Sequence, residues 1–257
     1  NNFDKSYVYP EITLEYSNLL PNYDYEVVLL DTIDDPPIYF SMGMVVDENK
    51  LFVANTDDHE IQVYDKNNLN LMSYFTSPLQ YDCETTNGFV PTTNCPYPSR
   101  NLPTSLSIIN EKIFVIYGFA NNIQIFDMDG NFIKTFGSYG KDSIQFDGAF
   151  DLVSSNNELF VLDSNNSRIQ VFDEFGNYLR EFTIKIENNP SSKKLDIEIF
   201  DDMLYILSNS QILQFDINGN FISKIILSDN PLPESIVDIS ISDKYIVAAD
   251  QQNHKII

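Results

Sequence analysis

A five-residue pattern returns four times along this chain: Ile61-Gln-Val-Tyr-Asp65, Ile123-Gln-Ile-Phe-Asp127, Ile169-Gln-Val-Phe-Asp173 and Ile212-Leu-Gln-Phe-Asp216. The copies start 62, 46 and 43 residues apart. Three continue alike, as Met128-Asp-Gly-Asn-Phe132, Glu174-Phe-Gly-Asn-Tyr178 and Ile217-Asn-Gly-Asn-Phe221, and a fifth begins at His254-Lys-Ile-Ile257. A unit that recurs at this period cannot bury its apolar residues alone. The chain is therefore restricted to architectures in which equivalent units pack against one another.

Each copy follows a second apolar run: Leu51-Phe-Val-Ala-Asn55, Ile113-Phe-Val-Ile-Tyr117, Leu159-Phe-Val-Leu-Asp163, Leu204-Tyr-Ile-Leu-Ser208 and Ile246-Val-Ala-Ala-Asp250. A third run lies further upstream, as in Met44-Val-Val-Asp47 and Ile197-Glu-Ile-Phe200, and a fourth follows the Gly-Asn turn, as in Phe132-Ile-Lys-Thr-Phe136. Short runs rich in β-branched and aromatic residues, separated by turn residues, read as strands. The chain holds 28 Asn and only 9 Gly. Asx side chains close turns and tolerate left-handed backbone, so tight turns need little glycine here. Helical periodicity does not persist beyond a turn. The expected fold is all-β, a β-propeller of four-stranded antiparallel blades. The blades are expected near 40–75, 103–136, 148–182, 195–227 and, in part, 236–257, with an N-terminal extension over 1–24.

The segment Asp163-Ser-Asn-Asn-Ser-Arg-Ile-Gln-Val-Phe-Asp-Glu-Phe-Gly-Asn177 resembles the signature of an NHL repeat, as does Asn55-Thr-Asp-Asp-His-Glu-Ile-Gln-Val-Tyr-Asp65. The resemblance recurs over residues 40 to 257. It departs at the glycine of the first strand, kept as Gly43 but replaced by Ser105, Asp151, Asp196 and Asp238, and the basic residue before the Ile-Gln run stands only as Arg168 and Lys255. The family implies a mostly six-bladed propeller and hosts unrelated functions, so it does not deliver an activity. Six blades imply that the chain given is incomplete at its C-terminus. The lone strand-like run Tyr25-Glu-Val-Val-Leu-Leu-Asp31 is the expected clasp for the last blade. An open ring leaves exposed strand edges prone to association.

The longest repeat spacing reflects an inserted loop over 77–100 that carries Cys83 and Cys95. Both cysteines have polar or proline neighbours, which favours a disulfide over buried free thiols. A disulfide closing so short a loop restricts the unfolded chain by roughly 3 kcal/mol and belongs to an oxidising compartment. Asn165-Asn-Ser167 is a glycosylation acceptor in form, although the same residues are part of the repeat signature.

Net charge is −23 at pH 7, with a sequence pI near 4.1. Such a surface repels phosphate backbones and anionic lipid, which disfavours nucleic acid as a partner. No run of 18 apolar residues occurs, so no transmembrane segment is expected. With two histidines and no Cys-x-x-Cys, zinc and haem motifs are absent. His59 and His254 hold equivalent positions in two repeats, which reads as a repeat feature rather than a catalytic set. Aligning the repeats places Gly43, Ser105, Asp151, Asp196 and Asp238 at one level of the first strands, with Glu198 two residues beyond Asp196. Clustered carboxylates repel one another unless solvated, protonated or bridged by a cation. Oxygen-only ligands suit Ca²⁺. A water-filled channel that tolerates aspartate is the other reading.

The expected function is an extracytoplasmic (secreted or cell-surface) module that binds a protein partner or a surface glycan. It would be a non-catalytic scaffold or a subunit of a larger assembly, using the inserted loop with Tyr81, Phe89 and Tyr97. The alternative is a divalent-metal-dependent hydrolase or lactonase built on the carboxylates of Asp151, Asp196, Asp238 and Glu198.

Overall fold

A computed structural model describes residues 41–79, 102–184, 196–208, 211–226, 236–250 and 255–256. The first four-stranded sheet holds β1 (Ser41–Val46), β2 (Lys50–Asn55), β3 (Glu60–Asp65) and β4 (Leu71–Thr76). The second holds β5 (Ser105–Ile109), β6 (Lys112–Tyr117), β7 (Asn122–Asp127) and β8 (Phe132–Phe136). Two short strands, β9 (Ser138–Tyr139) and β10 (Gln145–Phe146), pair in parallel before the third sheet. That sheet holds β11 (Ala149–Ser155), β12 (Glu158–Asp163), β13 (Arg168–Asp173) and β14 (Tyr178–Thr183). The fourth holds β15 (Asp196–Phe200), β16 (Met203–Ser208), β17 (Gln211–Asp216) and β18 (Phe221–Ile226). The fifth pairs β19 (Ile236–Ile241), β20 (Ile246–Asp250) and β21 (Lys255–Ile256). Within these sheets, strands pair antiparallel in sequence order. Among the described residues the only helical element is a single 3₁₀ turn at Gly118–Ala120. The Tyr25–Asp31 run lies outside the described residues.

Side chains alternate along a strand, and here both faces are covered. Ile113, Val115 and Tyr117 of β6 pack toward the first sheet, against Phe52, Ala54, Ile61 and Val63. Phe114 and Ile116 between them pack toward the third sheet, against Leu152, Leu159, Val161 and Phe172. The third and fourth sheets meet the same way, through Phe160, Leu162 and Ile169 against Ile197, Leu204 and Ile206. A strand buried on both faces needs a continuous apolar run, which explains the uninterrupted second strands. The sheets are layered like a fan. Their first strands touch in succession, β1 with β5, β5 with β11, β11 with β15 and β15 with β19.

The turns from third to fourth strand show why Asp and Asn recur. Asp216 Oδ1 accepts from the backbone N–H groups of Asn218 and Asn220, and Oδ2 accepts from Asn220 Nδ2. Asp127 and Asp173 repeat this arrangement with Asn131 and Asn177. Gly219 in the turn has φ +86, and its Cα lies so close to the previous sheet that an added Cβ would meet the Phe182 ring at 2.3 Å. Only glycine meets both demands at once.

Candidate functional site

The first strands carry the acidic row. Gly43 pairs with Ala54, Ser105 with Ile116, Asp151 with Leu162, Asp196 with Leu207 and Asp238 with Ala249. Each partner is the fourth residue of its second-strand run, so the five positions are equivalent. A register shift precedes Gly43, Asp151 and Asp238, of the kind a β-bulge produces to re-aim a side chain.

The carboxylates turn toward the neighbouring sheet. Asp151 Oδ2 accepts from the backbone N–H of Ile197 at 2.9 Å, and Asp196 Oδ2 accepts from that of Ile239 at 2.8 Å. Asp151 Oδ1 also accepts from Leu152 N–H at 2.8 Å. Each aspartate thus satisfies a backbone donor one residue beyond its own equivalent in the next sheet. The sequence reading aims these side chains at a common axis; Asp151 and Asp196 also bridge successive sheets through these backbone donors. A first strand has only one ladder partner, so some of its outward N–H groups would otherwise be orphaned. Where the acid is absent, other groups link neighbouring sheets. Thr56 Oγ1 donates to Pro103 O at 2.8 Å, Thr104 Oγ1 to Phe150 O at 2.9 Å, and Ser154 Oγ to Ile108 O at 3.1 Å. Nothing in the repeat pattern singles out Thr56, Thr104 or Ser154.

The acids also come close enough to shift one another. Burial pushes Asp196 up to about 10, aided by the Asp151 charge, a hydrogen bond with the Asp151 carboxylate and the Asp238 charge. Burial likewise lifts Glu198 to about 7. Asp238 is raised, first by burial and further by the Asp151 charge. At neutral pH Asp196 therefore carries a proton, which lets it donate to a neighbouring carboxylate while accepting from Ile239. Among the described residues no group of three His, Cys, Asp or Glu side chains is disposed to hold a metal ion.

The repeat signature of the third sheet builds a second polar cluster. Arg168 Nε donates to Asp163 Oδ2 at 2.8 Å and Nη1 to Glu181 Oε2 at 2.9 Å, while Nη2 donates to the carbonyls of Asp142 and Gln145. Gln170 Nε2 donates to Gln145 O, and its Oε1 accepts from Ile144 N–H. Asn166 Nδ2 donates to both Gly140 O and Asp163 Oδ2. Asp163 is fully buried, and burial holds its carboxyl above the usual range against the pull of Asp147 N–H, Asn166 and Arg168. The signature pins the 137–148 connection to the sheet. Its chemistry is anchoring.

Of the remaining candidates, Asn165 lies in the turn between β12 and β13, where its Nδ2, the atom a glycan would occupy, donates to Asp147 Oδ1 at 2.9 Å. His59 occupies the equivalent turn of the first sheet at φ +62. Cys83, Cys95, Tyr81, Phe89, Tyr97 and His254 lie outside the described residues. Antiparallel order puts the second-to-third-strand turns and the crossovers between sheets at one end of the molecule. That end displays Phe119, Tyr139 and Ile144, at 46%, 58% and 38% exposure. Sequence periodicity misses all three, because they sit in connections rather than in strands.

The NHL repeat family matches residues 151–172. No curated protein sequence matches the chain. Among solved structures, a streptogramin B lyase is similar with a TM-score of 0.58 and 18% identity, over 82% of this chain and 62% of that one. Virginiamycin B lyase from Staphylococcus aureus is similar at 0.57 and 17%, over 84% and 64%. Hydrazine synthase from Kuenenia stuttgartiensis is similar at 0.54 and 13%, over 85% and 58%. This chain thus spans less than two thirds of the length of these structures, and identities this low carry the fold alone. Residues 151–172 match the NHL repeat, and the chain has the propeller-like, all-β fold of these structures.

Proposed function

We propose that this chain is a non-catalytic interaction module that works outside the cytoplasm and engages a protein partner or a surface glycan. The observation that carries the reading is the exposure of Phe119, Tyr139 and Ile144 on the crossover end of the sheets. Exposed large apolar side chains on anchored loops supply contact area with little ordering cost on binding. The loop bearing Tyr139 and Ile144 is held by Arg168, Gln170 and Asn166, so it is presented rather than loose. Tyr81, Phe89 and Tyr97, in the connection from β4 to β5, are further candidate contact residues and lie outside the described residues. The test is a glycan array, together with co-purification from the native host, for the wild type and a Phe119→Ala/Tyr139→Ala variant. Partners held by the wild type and lost by the variant at unchanged melting temperature support the module. An identical partner set in both overturns it. Non-reducing peptide mapping tests the compartment: a Cys83–Cys95 linkage supports it, and two free thiols in native protein remove that support.

A second reading rests on one observation: burial and, after it, the charges of Asp151 and Asp238 raise both Asp196 and Glu198, so these carboxyls act on one another although, as they stand, no three are disposed as ligands. A divalent cation such as Ca²⁺ would relieve their mutual repulsion in place of the shared proton, and a metal-dependent hydrolase or lactonase could be built there. A Ca²⁺-dependent rise in melting temperature in the wild type, absent from Asp196→Asn, supports this reading. No rise in either removes it.

A further inference from the structure

The fourth strands share a feature that the repeat motif does not mention. Register shifts interrupt the pairing of β3 with β4, β7 with β8, β13 with β14 and β17 with β18 at the same place in each sheet. The residue skipped is Met72, Ile133, Leu179 and Ile222 in turn. All four are aliphatic or thioether side chains, and their exposures are 55%, 48%, 44% and 52%. A solvated bulge on an edge strand ordinarily carries a polar or charged residue, since it blunts an edge against unwanted pairing. In the second and fourth sheets the packing contact is made instead by the neighbouring Phe132 and Phe221, which meet Phe126 and Phe215 edge-on.

Beside each knob stands an acidic turn. Asp65, Asp127, Asp173 and Asp216 end the third strands immediately before the bulged strands. Hydrogen bonds from Asn131 and Asn220 hold Asp127 and Asp216 below the usual carboxylate range, so both stay ionised. The rim opposite the crossover end therefore repeats an apolar knob with a fixed negative charge, sheet after sheet.

We propose that this rim is a docking surface for a cationic amphipathic polypeptide segment, whose apolar side chains meet Met72, Ile133, Leu179 and Ile222 and whose Lys or Arg side chains meet the turn aspartates. Charge selects this occupant. A second copy of the chain brings another net −23, and anionic lipid is repelled by the same surface. The bulges select the mode: they interrupt the edge ladder, so the segment is read by its side chains and not by strand addition. This surface lies at the other end of the strands from Phe119 and Tyr139, so the two can fail separately.

The test uses a fluorescein-labelled helix-forming peptide of leucine and lysine, with a leucine and glutamate counterpart, in physiological salt. The wild type is expected to bind the lysine peptide and not the glutamate one. A variant carrying Met72→Ser, Ile133→Ser, Leu179→Ser and Ile222→Ser is expected to bind at least about tenfold more weakly at unchanged melting temperature. A companion variant carrying Met72→Leu, Ile133→Leu and Ile222→Leu is expected to keep the affinity, which separates lost apolar contact from a disturbed fold. Equal binding by wild type and serine variant overturns the proposal, because charge alone would then explain it. A self-association in sedimentation that the serine variant abolishes also overturns it, in favour of a second copy.

Discussion

At the scale of single residues, one side-chain type performs opposite tasks according to where its oxygens point. In the exposed turns, Asp127 and Asp216 are held ionised by amide donors, whereas on the inner strands Asp196 is held protonated by burial and by its acidic neighbours. The pH dependence follows from the second case. Asp196 rises from an ordinary 3.8 to about 10, and Glu198 from 4.5 to about 7. The folded state then binds more protons than the unfolded state between those values, so stability is greatest below the lower value and falls as pH rises through the window. Melting temperature should therefore decline from pH 5 to pH 8, and Asp196→Asn, which keeps both the acceptor for Ile239 and a donor for Asp151, should flatten that decline. A wild type whose melting is as flat as the variant's contradicts the shared proton. Arg168 supplies a second prediction. It is 7% exposed and is paired with a fully buried Asp163, so Arg168→Ala leaves a buried carboxylate without its counter-charge and takes the arginine donor from the Asp142 and Gln145 carbonyls. The expected cost is about 3 kcal/mol in urea unfolding. Arg168→Lys should recover only part of it, because an ammonium cannot reach four acceptors in one plane.

At the scale of strands and turns, sequence and structure agree where burial is symmetrical and part company where contacts cross between sheets. The second strands were legible because runs such as Ile113–Tyr117 are covered on both faces and so leave no polar gaps. The equivalence of Gly43, Ser105, Asp151, Asp196 and Asp238 was legible too, since a strand's register against its neighbour is set by a pattern of period two. The hydrogen bonds from the following sheet to Asp151 and Asp196 were not legible, because a repeat alignment carries no information about the offset between sheets. The anchoring of 137–148 by Arg168 was hidden for the same reason, because its partners include backbone carbonyls of an irregular segment. Glycine in the turns carries an inter-sheet message that the Gly-Asn motif alone does not reveal. Gly219→Ala should destabilise the chain by about 2 kcal/mol, from the positive φ and from contact with Phe182. In a Phe182→Leu background the same substitution should cost less, and the remainder measures the backbone share. Equal costs in both backgrounds would remove the ring contact as a cause.

At the scale of the whole molecule, each described sheet packs on the sheets before and after it in sequence, so stability is a sum over units and their shared faces. The shared faces are not equal. The interfaces joining the first three sheets bury Tyr117, Phe114, Phe126, Phe146 and Phe172 completely, whereas the contact of the fourth with the fifth rests on Leu207, Ile212, Ile239 and Ala248. A sheet gripped on both faces by aromatic residues opens only by breaking two such interfaces, while the grip of the fourth sheet on the fifth is made by smaller, mainly aliphatic side chains. Native-state hydrogen exchange reads this order, because amides exchange through the cheapest opening that frees them. The amides of β6 and β12 should be the slowest in the chain, and those of β19 and β20 the fastest among central ladder positions. Asp196 also ties the fourth sheet to the fifth through Ile239, so Asp196→Ala should speed exchange in β19 and β20 while leaving β6 unchanged. Uniform exchange across all five sheets, or acceleration in β6 as large as in β19, would mean that the chain opens as one cooperative block. The carboxyl bridge would then be a global tie and not a local latch.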